Sequence, residues 1–293
     1  MAKLTIRSSP SLATSKPETI IETVRLCLYA MHRVEEINLF GIPGSILEEI
    51  CRALPKSAPQ LHTLCISSRT AFSIHEDFLY NTERLQRVKL INCKISWDSQ
   101  FLSGLTRLTL YSLKANSSII QFLHALRRMP ALTDLHLDDS ISDYSEGAST
   151  YAIVDLPCLR VLNISSDVGA LTTVLRHISF PHSTILHLTC KRYFREIEYP
   201  NFLSFLATKL FSTLAIRSLR LGAPDGIKAN GLEFYFWTAT LIQDCIPSPP
   251  ISQSRLHLVS SKSYNYAEAL TSAMNLSFLT QLQISDLVID SET

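Results

Sequence analysis

Aliphatic residues return along this chain in one spacing, apolar-x-x-apolar-x-apolar. It reads Leu61-x-x-Leu64-x-Ile66, Leu85-x-x-Val88-x-Leu90, Leu105-x-x-Leu108-x-Leu110, Leu132-x-x-Leu135-x-Leu137, Leu159-x-x-Leu162-x-Ile164, Ile216-x-x-Leu219-x-Leu221 and Leu279-x-x-Leu282-x-Ile284. Val34-x-x-Ile37-x-Leu39 fits as well, while Leu186-x-Leu188 and Leu256-x-Leu258 keep only the second half. The last three positions of each unit alternate, so a short strand turns its apolar side chains to one face and its other side chains to the opposite one.

The middle apolar residue falls at 37, 64, 88, 108, 135, 162, 186, 219, 256 and 282, in steps of 27, 24, 20, 27, 27, 24, 33, 37 and 26. Most of these steps lie within the roughly 20–29-residue period of leucine-rich repeats. The unit at Leu85 continues to Cys93, as L-x-x-L-x-L-x-x-C, whereas other units place Leu113, Ser140, Asp167 and Leu287 there. A strand followed by a return segment cannot close its own core, so each repeat needs its neighbours.

The pattern therefore predicts an α/β leucine-rich-repeat solenoid, with a curved parallel sheet on the concave side and helices on the convex side. Strands are expected near 35–39, 62–66, 86–90, 106–110, 133–137, 160–164 and 217–221, in one array over 1–293 with irregular repeats at 222–260. Lys3–Arg7 reads as a repeat strand already, which leaves little sequence for an N-terminal cap and suggests sequence missing upstream. Helical periodicity marks Ser45–Leu54, opened by a Ser45/Glu48 capping box, then Ser117–Leu126 and Val168–Arg176. A second capping box, Ser15 with Glu18, precedes a helical face of Ile20, Ile21, Val24, Cys27, Leu28 and Met31. Prolines 55, 130 and 181 follow the three helical runs, where helices stop. In the irregular stretch, Gly222–Gly226 is a turn signal, Leu232–Thr238 alternates like an extra strand or forms a helix, and Pro247–Pro250 is a rigid loop.

Composition agrees with an ordered chain, since 46% of residues are hydrophobic and 18% charged. Lys and Arg number 27 against 26 Asp and Glu, which leaves no global attraction for nucleic acid or an anionic membrane. A charged partner has to be met by a local patch. The seven cysteines never reach C-x-x-C spacing and read as reduced thiols used as small apolar residues. With neither a signal-peptide core nor an apolar run of about 18 residues, the expected location is cytoplasmic or nuclear.

Phosphate-cradling, zinc-protease and nucleophile-elbow motifs are missing from the sequence, and it holds eight glycines. No catalytic, cofactor or metal residues are assigned, and the chain is read as non-enzymatic. His182 and His187 stand five apart without a third ligand, and Asp134, Asp138 and Asp139 read as an acidic strand face. The useful residues are those between the motif leucines, which a solenoid presents outward. They are Arg87, Lys89, Arg107, Thr109 and Tyr111, then Asp134, His136 and Asp138, then Asn163, His187, Arg220, Arg255 and His257. The basic group beside the acidic one suits a protein target with the reverse charge order.

The segments Asp155–Ile164, His177–Leu188, Ile216–Leu221 and Phe236-Trp237-Thr238 resemble the repeat region of mushroom-forming fungal F-box proteins with leucine-rich repeats. That resemblance implies a substrate-recognition module of a cullin-based ubiquitin ligase. The adaptor of the ligase would be a partner only if an F-box lies upstream, because no L-P-x-E-[IL]-L opening occurs in this sequence. The alternative is a free-standing binding protein or inhibitor with no ligase link.

Overall fold

The computed structural model describes residues 4–8, 30–54, 57–75, 77–79, 81–112, 119–140, 152–181, 183–190, 202, 205–206 and 208, and the strand segments 218–222, 232–237, 256–260 and 281–284. The chain is α/β with a mostly parallel arrangement of strands. It divides into two compact units, the first formed by Met1–Leu159 with Arg176–Phe180, the second by Arg160–Leu175 with Pro181–Thr293.

In the first unit β1 (Leu4–Arg7), β2 (Val34–Ile42), β3 (Thr63–Ser73), β4 (Arg87–Lys94), β5 (Arg107–Tyr111) and β6 (Asp134–Asp138) lie in sequence order, every pair parallel. The motif's middle residues Ile37, Leu64, Val88, Leu108 and Leu135 are in register, and so are the third residues Leu39, Ile66, Leu90, Leu110 and Leu137. All ten are buried, at 3% exposure or less. At roughly 1.5–3 kcal/mol for each buried aliphatic side chain, these two ladders hold the register, since a slip of one residue would send both to water.

In four of the units the residue that opens the motif is placed by a tight turn. Leu61, Leu85, Leu132 and Leu159 donate their N–H to the carbonyls of Ala58, Thr82, Met129 and Leu156, at 3.0, 3.0, 3.0 and 3.1 Å. Three of these turns carry proline at the second position, Pro59, Pro130 and Pro157, where its fixed φ is pre-set for the turn. Each strand is then engaged from its start: Gln86 and Arg87 both donate to the His62 carbonyl, Thr106 and Arg107 to Gln86, and Thr133 and Asp134 to Thr106.

The strand exits repeat too. Gly41, Asn92, Ser112 and Asp139 each stand two residues past the third motif position and take left-handed φ values of 70, 57, 51 and 45°. Glycine, asparagine and aspartate tolerate that region best. The following residue is delivered to the interior at Ile42, Cys93 and Ser140. There the Ser140 hydroxyl lies 2.9 Å from both the Asp138 and Leu110 carbonyl oxygens, and the Cys93 thiol 3.3 Å from that of Ile91 and 3.9 Å from that of Ile66. In both cases one acceptor is two residues back and the other ends the preceding motif. At these three units the position is thus filled either with an apolar side chain or with a small donor.

Helices α1 (Gly44–Ala53) and α2 (Ile119–Arg127) occupy two of the return segments, and β7 (Val154–Asp155) pairs in parallel with β9 (Ile178–Ser179). The Ser45/Glu48 capping box is not formed. Pro43 stands at the helix N-cap with no side-chain bond, and the first N–H, of Gly44, donates to Thr70 Oγ1 at 3.1 Å. Thr70 sits on an excursion of β3 between Ser67 and Phe72, where the register with β4 shifts. A side chain at Gly44 would come within 2.8 Å of Thr70 Oγ1, 3.0 Å of the Thr70 carbonyl oxygen and 3.1 Å of Phe72 Cβ. Gly44→Ala is therefore expected to lower stability by about 1–3 kcal/mol in a denaturant titration, as overpacking does. An unchanged midpoint would mean that α1 does not approach β3 this closely.

The second unit contains β8 (Val161–Ser166), most of α3 (Val168–His177), β10 (Ile185–Cys190), β11 (Ser218–Gly222), β12 (Leu232–Trp237), β13 (Leu256–Ser260) and β14 (Gln281–Ile284). Asp167 caps α3, its Oδ1 accepting from the Ala170 N–H at 2.8 Å, a role its place in the motif did not suggest. The expected run of parallel neighbours changes here. Strand β10 lies between β8 and β13, both parallel, and β13 continues antiparallel to β12, β12 antiparallel to β11, and β11 parallel to β14. So the segment 217–221 is a strand at 218–222, but it faces the antiparallel β12 rather than following β10. The two half motifs pair with each other, Leu186 with Leu256 and Leu188 with Leu258. The predicted helix over 20–31, apart from a short 3-10 turn at Met31–Arg33, and the loop at 247–250 lie outside the described residues, as do Leu113 and Leu287.

Candidate functional site

With one strand face buried, the alternate residues of β2–β6 form an outward grid in the first unit. Its registered rows are Glu36, Thr63, Arg87, Arg107 and Asp134, then Asn38, Cys65, Lys89, Thr109 and His136, then Phe40, Ser67, Ile91, Tyr111 and Asp138. Neighbours in a row are about 4.8 Å apart and successive rows about 6.6 Å, so three side chains from each of five strands share one surface. Eight of the outward residues named from the sequence lie on it: Arg87, Lys89, Arg107, Thr109, Tyr111, Asp134, His136 and Asp138. Arg220 occupies β11 of the second unit, in register with Tyr235 and Gln283, and Arg255 lies outside the described residues. Asn163, His187 and His257 align across β8, β10 and β13, while His182 is not described.

Charges on the grid are not all open to a partner. Arg107 Nε is 3.3 Å from Asp134 Oδ2, an oxygen that also accepts from Thr133 Oγ1 at 2.6 Å. The basic group and acidic unit expected side by side thus close on each other at this point, in a half-exposed pair that contributes at most about 1 kcal/mol. At the other end Arg7 Nη2 is 3.3 Å from Glu36 Oε2, to which Asn38 Nδ2 also donates at 3.4 Å. The Arg87 guanidinium has no carboxylate or hydrogen-bond partner among the described residues, and Lys89 Nζ lies 5.7 Å from the centre of the Tyr111 ring.

Burial lowers the pKa of half-buried His136, with Lys89 acting in the same direction and Asp134 against it. The folded protein therefore holds this imidazole neutral below its ordinary value of about 6.5, while the unfolded chain takes up a proton there. His136 contributes stability above that pH and loses it as the pH falls through the unfolded value toward the folded one. His136→Gln should flatten the dependence of the unfolding midpoint between about pH 7.5 and 5.5. A variant whose slope parallels the parent's would place the imidazole in water.

Glu36, Asn38 and Phe40 belong to the grid although they were not assigned from sequence. The alternation in Val34-x-x-Ile37-x-Leu39 carried the signal, two units before the first residue chosen. Burial also raises the Cys65 thiol, with nearby Glu36 adding to that effect and Lys89 opposing it, while burial pushes Cys93 up to about 12 and Cys51 higher still. Among the described residues no group of three or more His, Cys, Asp or Glu could hold a metal ion, and no helix is long and apolar enough to cross a membrane.

No protein-family model matches the chain, and comparison with curated proteins finds no match.

Proposed function

We propose that this chain is a leucine-rich-repeat solenoid serving as a non-catalytic scaffold for protein interaction, with its target held on the outward face of the strands. The registered grid over β2–β6 carries this reading. It combines charged, polar and aromatic side chains on a surface whose opposite side is closed by two aliphatic ladders, so the scaffold stays fixed while the grid is free to vary. The recurring turn, strand and left-handed exit supports the repeat class. In the role implied by the resemblance to F-box proteins, the face would recruit a target for ubiquitination.

The test is affinity capture with the whole chain as bait, beside a variant with Thr63, Thr109 and Ser67 changed to arginine to obstruct the face. A binder lost from the variant supports the reading, and a binder retained by a folded variant contradicts it. A cullin adaptor that co-purifies with the binder favours the ligase role; a binder without an adaptor favours the free-standing protein or inhibitor.

A further inference from the structure

The outward grid divides its charges unevenly. Its acidic residue on β2, Glu36, is paired with Arg7, and Asp134 on β6 is paired with Arg107, so a carboxylate at each margin is met by a cation of the chain itself. The middle is different. On β4, Arg87 and Lys89 follow each other along one strand, about 6.6 Å apart. Their cross-strand neighbours are Thr63 and Arg107 for Arg87, and Cys65 and Thr109 for Lys89, none of them acidic. A cationic centre of this kind is complementary to a compact anionic segment.

The third row adds an apolar character that the charged rows lack. Phe40 is 45% exposed, uncommon for a phenylalanine on a strand whose inward residues are sealed, and Ile91 and Tyr111 are half-buried neighbours in register. Lys89 reaches over the Tyr111 ring, so the cationic and apolar parts are joined rather than merely adjacent. Two carboxylates above Arg87 and Lys89 would leave a neighbouring side chain of the same segment against Ile91, Tyr111 or Phe40. Partly desolvating the charges in this way makes the pairing stronger than at an open surface.

We propose that the face over β2–β5 binds an acidic peptide segment that also carries an aromatic or aliphatic side chain, the carboxylates meeting Arg87 and Lys89 and the apolar group meeting Phe40, Ile91 and Tyr111. This rests on the reading of the outward grid as a protein-binding surface.

A random-peptide phage library selected on the full-length chain supplies the probes, and enriched peptides are then synthesised and titrated. Enrichment of Asp or Glu together with Trp, Phe, Leu or Ile is expected. Arg87→Glu with Lys89→Glu should weaken these peptides at least about tenfold, and Phe40→Ser with Tyr111→Ser by a similar factor, while Glu48→Gln on α1, away from the grid, leaves them within about twofold. If the charge reversal does not fold, Arg87→Gln with Lys89→Gln serves in its place. Selection of no peptides, selection of basic or uncharged ones, or acidic peptides indifferent to these changes overturns the inference. The failures separate: peptides of other chemistry that are lost on substituting Glu36 or Asp134 leave the face as the binding surface, whereas peptides unaffected by any substitution on the grid remove that reading too.

Discussion

Leu135→Ala is expected to lower the unfolding free energy by about 2–5 kcal/mol, whereas His136→Ala beside it should change it far less. Leu135 has no measurable exposure and stands in register with Leu108, inside a ladder that begins at Ile37. Truncation removes buried methyl groups and leaves a cavity that the ladder neighbour Leu108, fixed in its own strand, cannot fill. The half-buried His136 lies on the opposite face of the same strand. Urea titrations of the two variants decide it, and midpoints shifted equally would mean that the strand's inward and outward sides are wrongly assigned.

A second large effect is expected on association. Reversing Arg87 and Lys89 together should slow binding of a captured partner by about tenfold or more at low ionic strength, with the difference shrinking as salt is added. Reversing Arg107 is a different experiment. It would set a glutamate beside Asp134, its registered neighbour, so the first consequence is local destabilisation of about 0.2–1 kcal/mol between β5 and β6. Stopped-flow association rates over a salt series distinguish the two. A double reversal with an unchanged on-rate would move the encounter surface away from β4.

Much of the first unit can be read from the chain because its information is local. Alternation in Leu61–Ile66, Leu85–Leu90, Leu105–Leu110 and Leu132–Leu137 sets both the strand and the buried side, and the strands begin within a residue or so of the expected segments. The same local rule placed Arg87, Lys89, Arg107, Tyr111, Asp134, His136 and Asp138 on one surface. What it does not carry is pairing between charges. Arg107 and Asp134 are 27 positions apart and meet only because parallel register sets them side by side. The start of α1 is non-local for a related reason. Ser45 and Glu48 have the capping-box spacing, but Thr70, from a strand excursion 26 residues away, takes the Gly44 N–H instead. Pro130 reads from sequence as a helix stop, and in the structure it is the second residue of the turn that positions Leu132. In the second unit the motif identified strands β11, β13 and β14 but not their order, because alternation says which face a residue occupies and nothing about which strand lies beside it.

The most direct test of the central claim is a saturation scan of 34–42, 63–67, 87–91, 107–111 and 134–138, scoring folded abundance and partner binding separately for every substitution. Positions such as 37, 64, 88, 108 and 135 should lose abundance and binding together, and their outward neighbours, above all 40, 87, 89 and 111, should lose binding while the protein remains folded. A binding-specific set concentrated on α1 and α2, with the outward strand positions indifferent, would contradict the account.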